Sequence, residues 1–120
     1  MNTDALKSQR RSFDEPDERR KHPRKLVDEV RFQGVGPVLR ERFEPGWVWS
    51  ETTGKTAATD LCEKPHVGYC LEGQMAFSDR DGKRLVVGPG DVFYMAAGHD
   101  AETVGDVDCV WLEFAQIKGA

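Results

Sequence analysis

Two of the residues that could do chemistry in this 120-residue chain stand close together as Cys62-x3-His66. A thiolate and an imidazole are soft ligands that suit zinc or iron, so the pair makes half of a metal site. The competing reading is structural, since a buried cysteine is a small apolar filler and a single histidine is most often a hydrogen-bonded core residue. The other two cysteines, Cys70 and Cys109, fall inside apolar segments and read as strand packing. Three cysteines are an odd number and show no CxxC spacing, which argues against both a disulfide scaffold and a zinc ribbon. The sequence also lacks a Ser-His-Asp order, a phosphate-cradling glycine loop and any nucleic-acid recognition motif. No apolar run approaches the roughly 18 to 20 residues needed to cross a bilayer, and the first twenty residues carry no secretory apolar core. A cytoplasmic protein without membrane or nucleic-acid partners is expected.

The elements that must position these side chains are short. Twelve glycines, six prolines and three tryptophans favour turns and strands over long helices. From Leu26 onward apolar residues alternate in strand-sized segments: Val27 to Phe32, Val38 to Phe43, Trp47 with Trp49, Val67 to Leu71, Gln74 to Ser78, Arg84 to Val87, Val92 to Ala96 and Val110 to Phe114. Asp81-Gly82 predicts a tight hairpin whose central residues need positive φ. No apolar pattern of period 3.6 persists, so the expected class is all-β, with seven or eight strands in a sandwich or barrel. Residues 1 to 25 differ, with eight basic side chains against five acidic ones in a chain of net charge -4. They read as a flexible charged N-terminal arm that is dispensable for folding, ahead of a domain over 26 to 120.

The glycines and the polar residues between them form two spaced sets, Gly54-x5-Asp60-x-Cys62-x3-His66-x6-Gly73 and Gly90-x5-Ala96-x-Gly98-x2-Ala101-x3-Gly105. This spacing resembles the two-motif signature of the cupin superfamily. In that family two histidines and a glutamate of the first motif and a histidine of the second bind a metal inside a small jelly-roll β-barrel. Here Asp60 and Cys62 stand at the two histidines, His66 at the glutamate and Ala101 at the last histidine. The chain is also similar to a group of small bacterial cupins of unassigned function in Phe43 to Trp47, Cys62 to Tyr69, Gly98 to Ala101 and Pro16 to Glu18. It departs from that group at Glu102, where tryptophan is usual.

The resemblance implies a small antiparallel cupin-like barrel whose cavity takes a small molecule, with or without a divalent metal. The ligand missing at Ala101 would come from His99, two residues earlier and roughly 6.6 Å along an extended strand on the same face. Cys62, His66 and His99 then form the expected metal set. Zinc is favoured because of the thiolate, and iron is also compatible. Asp60 is an additional candidate ligand, and Asp100 a carboxylate that could orient a ligand. Tyr69, Trp49 and Phe77 are candidate pocket-lining residues. The alternative is a metal-free binding or sensor module without catalysis. The Trp47-Val48-Trp49 run, apolar on both faces, suggests a homodimer.

Overall fold

In the computed structural model, which describes residues 6–114, the chain forms nine antiparallel strands in two sheets. They are β1 (Glu18–His22), β2 (Lys25–Phe32), β3 (Gly36–Phe43), β4 (His66–Glu72), β5 (Gln74–Asp79), β6 (Arg84–Val87), β7 (Val92–Met95), β8 (His99–Val104) and β9 (Cys109–Phe114). The larger sheet runs β1-β2-β3-β9-β4-β7 and the smaller β6-β5-β8. The expected all-β class and antiparallel pairing hold. Two isolated bridges tie segments outside the strands to β8, Val48 to Glu102 and Cys62 to His99.

Their inward faces carry the core. Phe43, Cys70, Phe93, Cys109 and Trp111 come from the large sheet, Met75, Phe77 and Ala101 from the small one. Aromatic rings bind the two layers: Trp111 stacks on Phe77 with centroids 5.7 Å apart and meets Phe93 at 4.9 Å and Phe43 at 4.6 Å. Such offset and tilted pairs add to simple burial, so this wall is stiff.

Four expectations need correction. The N-terminal arm is not separate from the domain, because β1 pairs with β2 along its length, Glu18 opposite Glu29 through His22 opposite Lys25. Ahead of β1, Gln9 exchanges two hydrogen bonds with the Gln33 backbone, and Asp17 takes the Arg31 N–H at 2.7 Å and Arg11 Nη1 at 2.7 Å. The interleaved charges that suggested a solvated tail are cross-strand partners. Asp28, 2% exposed, is clamped by Arg19 Nε at 2.6 Å and Arg40 Nη2 at 3.0 Å. Residues 1–5 of the expected arm and 115–120 of the expected domain lie outside the described residues.

Secondly, Trp47 and Trp49 do not sit on a strand. Trp49–Glu51 and Thr53–Thr56 are short 3-10 turns, and both tryptophans are buried. Val48 is half-buried and bridged to Glu102, so the outward apolar face that suggested a dimer is absent from this run. Thirdly, the β5–β6 hairpin forms, but of its turn residues only Gly82 has positive φ, +80°. The Asp79 carboxylate caps the turn by accepting the N–H groups of Asp81 and Lys83, each at 2.9 Å, so Asp81 need not adopt a strained conformation. Finally, the described residues form nine strands where seven or eight were expected: β8 carries Asp100, Glu102 and Thr103 and has no apolar stripe to announce it, although its pairing with β5 spans all six residues.

Candidate metal centre

Cys62 lies in the extended segment just before β4, and its backbone is tied to the first residue of β8. Its N–H donates to His99 O at 2.8 Å, and its carbonyl accepts from Gly98 N at 2.7 Å. Gly98 adopts φ +89°, a left-handed conformation that only glycine takes at little cost, and this turns the chain so that His99 points inward. His66 opens β4 on the opposite sheet, with its ring edge-on to His99 at a centroid distance of 5.1 Å. The expected triad therefore assembles: one donor atom each from Cys62, His66 and His99 lie within 4.8 Å of one another. It is sheltered, with His99 2% and Cys62 7% exposed.

The donor set fits a divalent ion. His66 Nδ1 lies 2.8 Å from Glu113 Oε2, and His99 Nδ1 2.7 Å from Ala96 O. In a neutral ring the nitrogen facing an oxygen is the protonated one, so once His66 gives up its second proton its Nε2 is left as an acceptor on the Cys62 side. This is how a ligating imidazole is usually held. His66 Nε2 is 3.7 Å from Sγ.

Without an ion the charges are arranged among the same atoms. Burial pushes the Cys62 thiol up, but contacts from His66, His99 and the Lys64 backbone outweigh it and bring it down to about 6. Burial pulls His66 down, but Cys62 and Glu113 raise it to about 9. Near neutral pH the two therefore face each other as thiolate and imidazolium.

The other expected residues divide. Trp49 and Phe77 line the cavity beside the triad, whose volume is about 550 Å³. Tyr69 does not, being 36% exposed on the outward side of β4. Asp60 is exposed and outside the triad, because the chain between the 3-10 turns and Cys62 runs along the surface. Asp100 points away from the site: it accepts Ser50 N–H at 3.0 Å and Ser50 Oγ–H at 2.7 Å, fixing the turn that carries Trp49. Cys70 and Cys109 are fully buried packing residues, and burial raises both thiols.

The sequence reading missed Glu113, Glu41 and Lys25. Glu113 supports His66, and Glu41 lines the same cavity with Lys25 Nζ 3.3 Å away. Burial raises Glu41 to about 7, Lys25 opposing and Glu113 reinforcing the effect. Their signal was in the alternation. Glu41 is two residues before Phe43 and Glu113 two after Trp111, so both occupy inward positions of otherwise apolar stripes.

A family model described as a cupin domain matches residues 54–115. No curated protein matches the chain. Among solved structures it is similar to the oxalate decarboxylase of Lactobacillus farciminis, at TM-score 0.63 and 16% identity over 96% of this chain. The chain spans only 35% of that enzyme's length. It is also similar to a sugar phosphate isomerase of the cupin superfamily from Silicibacter pomeroyi, at TM-score 0.62 and 19% identity, covering 88% of this chain and 73% of that one. A third likeness is to the polyketide cyclase RemF of Streptomyces resistomycificus, at TM-score 0.55 and 20% identity over 77% and 64% of the two chains. At these identities the likeness is one of fold.

Proposed function

The chain belongs to the cupin domain family, and on that premise we propose that it is a small-molecule-binding cupin holding a divalent metal, zinc by preference, on Cys62, His66 and His99. The observation that carries this reading is the convergence of one donor atom each from Cys62, His66 and His99 within 4.8 Å, with both imidazoles fixed through Nδ1. A bound ion would act as a Lewis acid toward an oxygen of the ligand. The chain's own part is to hold its donors in place through Glu113 and the Ala96 carbonyl, and to wall the ligand from water with Phe43, Trp47 and Phe77.

The test is elemental analysis of protein purified without an affinity tag, followed by metal titration of the full chain. One ion per chain is expected, lost in Cys62→Ala and in His66→Ala. His99→Ala separates two geometries: loss of the ion supports the three-residue site, whereas full retention would place the ion on the first motif alone. A second reading, a metal-free binding cavity, is favoured by one observation: Cys62 and His66 already neutralise each other. It becomes the answer if the starting protein takes up no metal. We also propose a homodimer, supported by exposed apolar residues on the outer side of β4 and β7, namely Tyr69, Leu71, Val92 and Tyr94.

A further inference from the structure

Behind His66 the cavity wall carries Glu41 and Lys25, two ionisable groups that the metal reading does not use. Glu41 on β3 is 5% exposed and lines the cavity. Three charged or titratable groups face it: Lys25 from β2, whose Nζ is 3.3 Å away, Glu113 from the adjacent strand β9, two residues beyond the Trp111 that pairs with Glu41, and His66 from β4, on the far side of Glu113. Lys25 is itself held, with Nζ 5.3 Å from the Phe43 ring and 5.6 Å from the Trp47 ring.

Glu113 shows what this cluster needs. Its Oε2 is engaged by His66, while its Oε1 is buried and has no hydrogen-bond partner among the described residues. Two ionised carboxylates side by side would leave that oxygen orphaned and add like-charge repulsion, each costly in an enclosed site. One proton removes both faults, because the Glu41 hydroxyl can then donate to Glu113 Oε1. Glu113 is the worse holder of the proton, since it already accepts from His66.

We propose that Glu41 is a proton-donating site of the cavity, able to protonate a carbonyl or carboxylate oxygen of a small ligand lying against the Lys25 side of the wall. This rests on the reading of the cavity as a small-molecule pocket and does not require an ion. In the transfer the Glu41 O–H bond breaks, an O–H bond forms on the ligand, and the carboxylate left on Glu41 is stabilised by the Lys25 ammonium. The direction of the Glu41 shift, upward through burial, agrees with the geometry.

The experiment is infrared spectroscopy of the metal-free 120-residue chain in light and heavy water, titrated from about pH 6 to about pH 9. Ordinary carboxyl groups are ionised across that range, so a carbonyl stretch from a protonated acid stands out. The expected result is one such band near the lower limit, shifted in heavy water, lost as pH passes about 7, and absent in Glu41→Gln. Glu113→Gln should keep the band but move its loss to lower pH, because the neighbouring negative charge is gone. Circular dichroism checks that each variant folds. Should Glu41→Gln fail to fold, the midpoint shift in Glu113→Gln decides. No band in the starting protein, a band that survives in Glu41→Gln, or an unmoved midpoint in Glu113→Gln would overturn the proposal. Cys62→Ala should keep the band, so failure of the metal reading leaves this result standing.

Discussion

At the scale of residues, the triad sets a pH dependence whose sign can be worked out. An ion needs Cys62 as thiolate and His66 neutral. Because Cys62 titrates at about 6 and His66 at about 9 in the metal-free protein, the proton released near neutral pH comes from His66 and not from the thiol. Affinity measured by competition with a chelator should therefore climb from pH 6 to pH 9 and fall more steeply below 6, where Cys62 also protonates. A flat profile would sink the site. Glu113→Ala, which frees the His66 ring, should weaken metal binding by about 10- to 100-fold while His66 remains in place. Cys70→Ala and Cys109→Ala should keep the metal and each cost about 1–2 kcal/mol in denaturant melts, the price of small cavities in a packed core. Cys62, His66 and His99 were legible because motif spacing is a property of the chain. Tyr69 was misplaced against its own alternation, since it is one residue out of step with Cys70. Glu41 and Glu113 escaped because an acid in an apolar stripe makes sense only once its partners on other strands are known.

At the scale of elements, the strand segments from Val27 onward, other than Trp47 with Trp49, could be read because their apolar residues recur at strand spacing. β1 could not, because its partners are charges: Arg19 answers Asp28 and Arg20 answers Glu29 across a pairing that no local pattern announces. Deleting residues 1 to 22 should therefore lower the melting temperature by well over about 5 °C, since it exposes the edge of β2 and strips a partner from Asp28. A melting temperature unchanged by that deletion would return the arm to a dispensable role. β8 was equally hidden, its polar residues facing outward between His99, Ala101 and Thr103. Asp100, expected near the metal, instead joins β8 to the turn bearing Trp49. Asp100→Ala should cost about 1–2 kcal/mol of stability and leave metal stoichiometry unchanged, because the hydrogen bonds lost are to Ser50 and not to a ligand.

At the scale of the whole molecule, the glycine skeleton was enough to indicate the architecture, but not where its surface is sticky. Trp47-Val48-Trp49 turned inward, while Val92 and Tyr94, 76% and 61% exposed, stand on β7 at the free edge of the six-stranded sheet. The edge strand itself carries no charge or proline to discourage pairing. Light scattering at high concentration should give twice the chain mass, and Val92→Lys with Tyr94→Lys should return it to a single chain. Monomer mass in the starting protein would refute this. The seam between the sheets has a further consequence. Cys62 is bridged to the small sheet through His99, whereas His66 begins a strand of the large one. An ion on all three would act as a clasp, so that prising the layers apart requires letting go of it. Its effect should then show in time as much as in affinity: amide protons along β4 and β8 would exchange more slowly when loaded, and a protease would wait on the ion's departure.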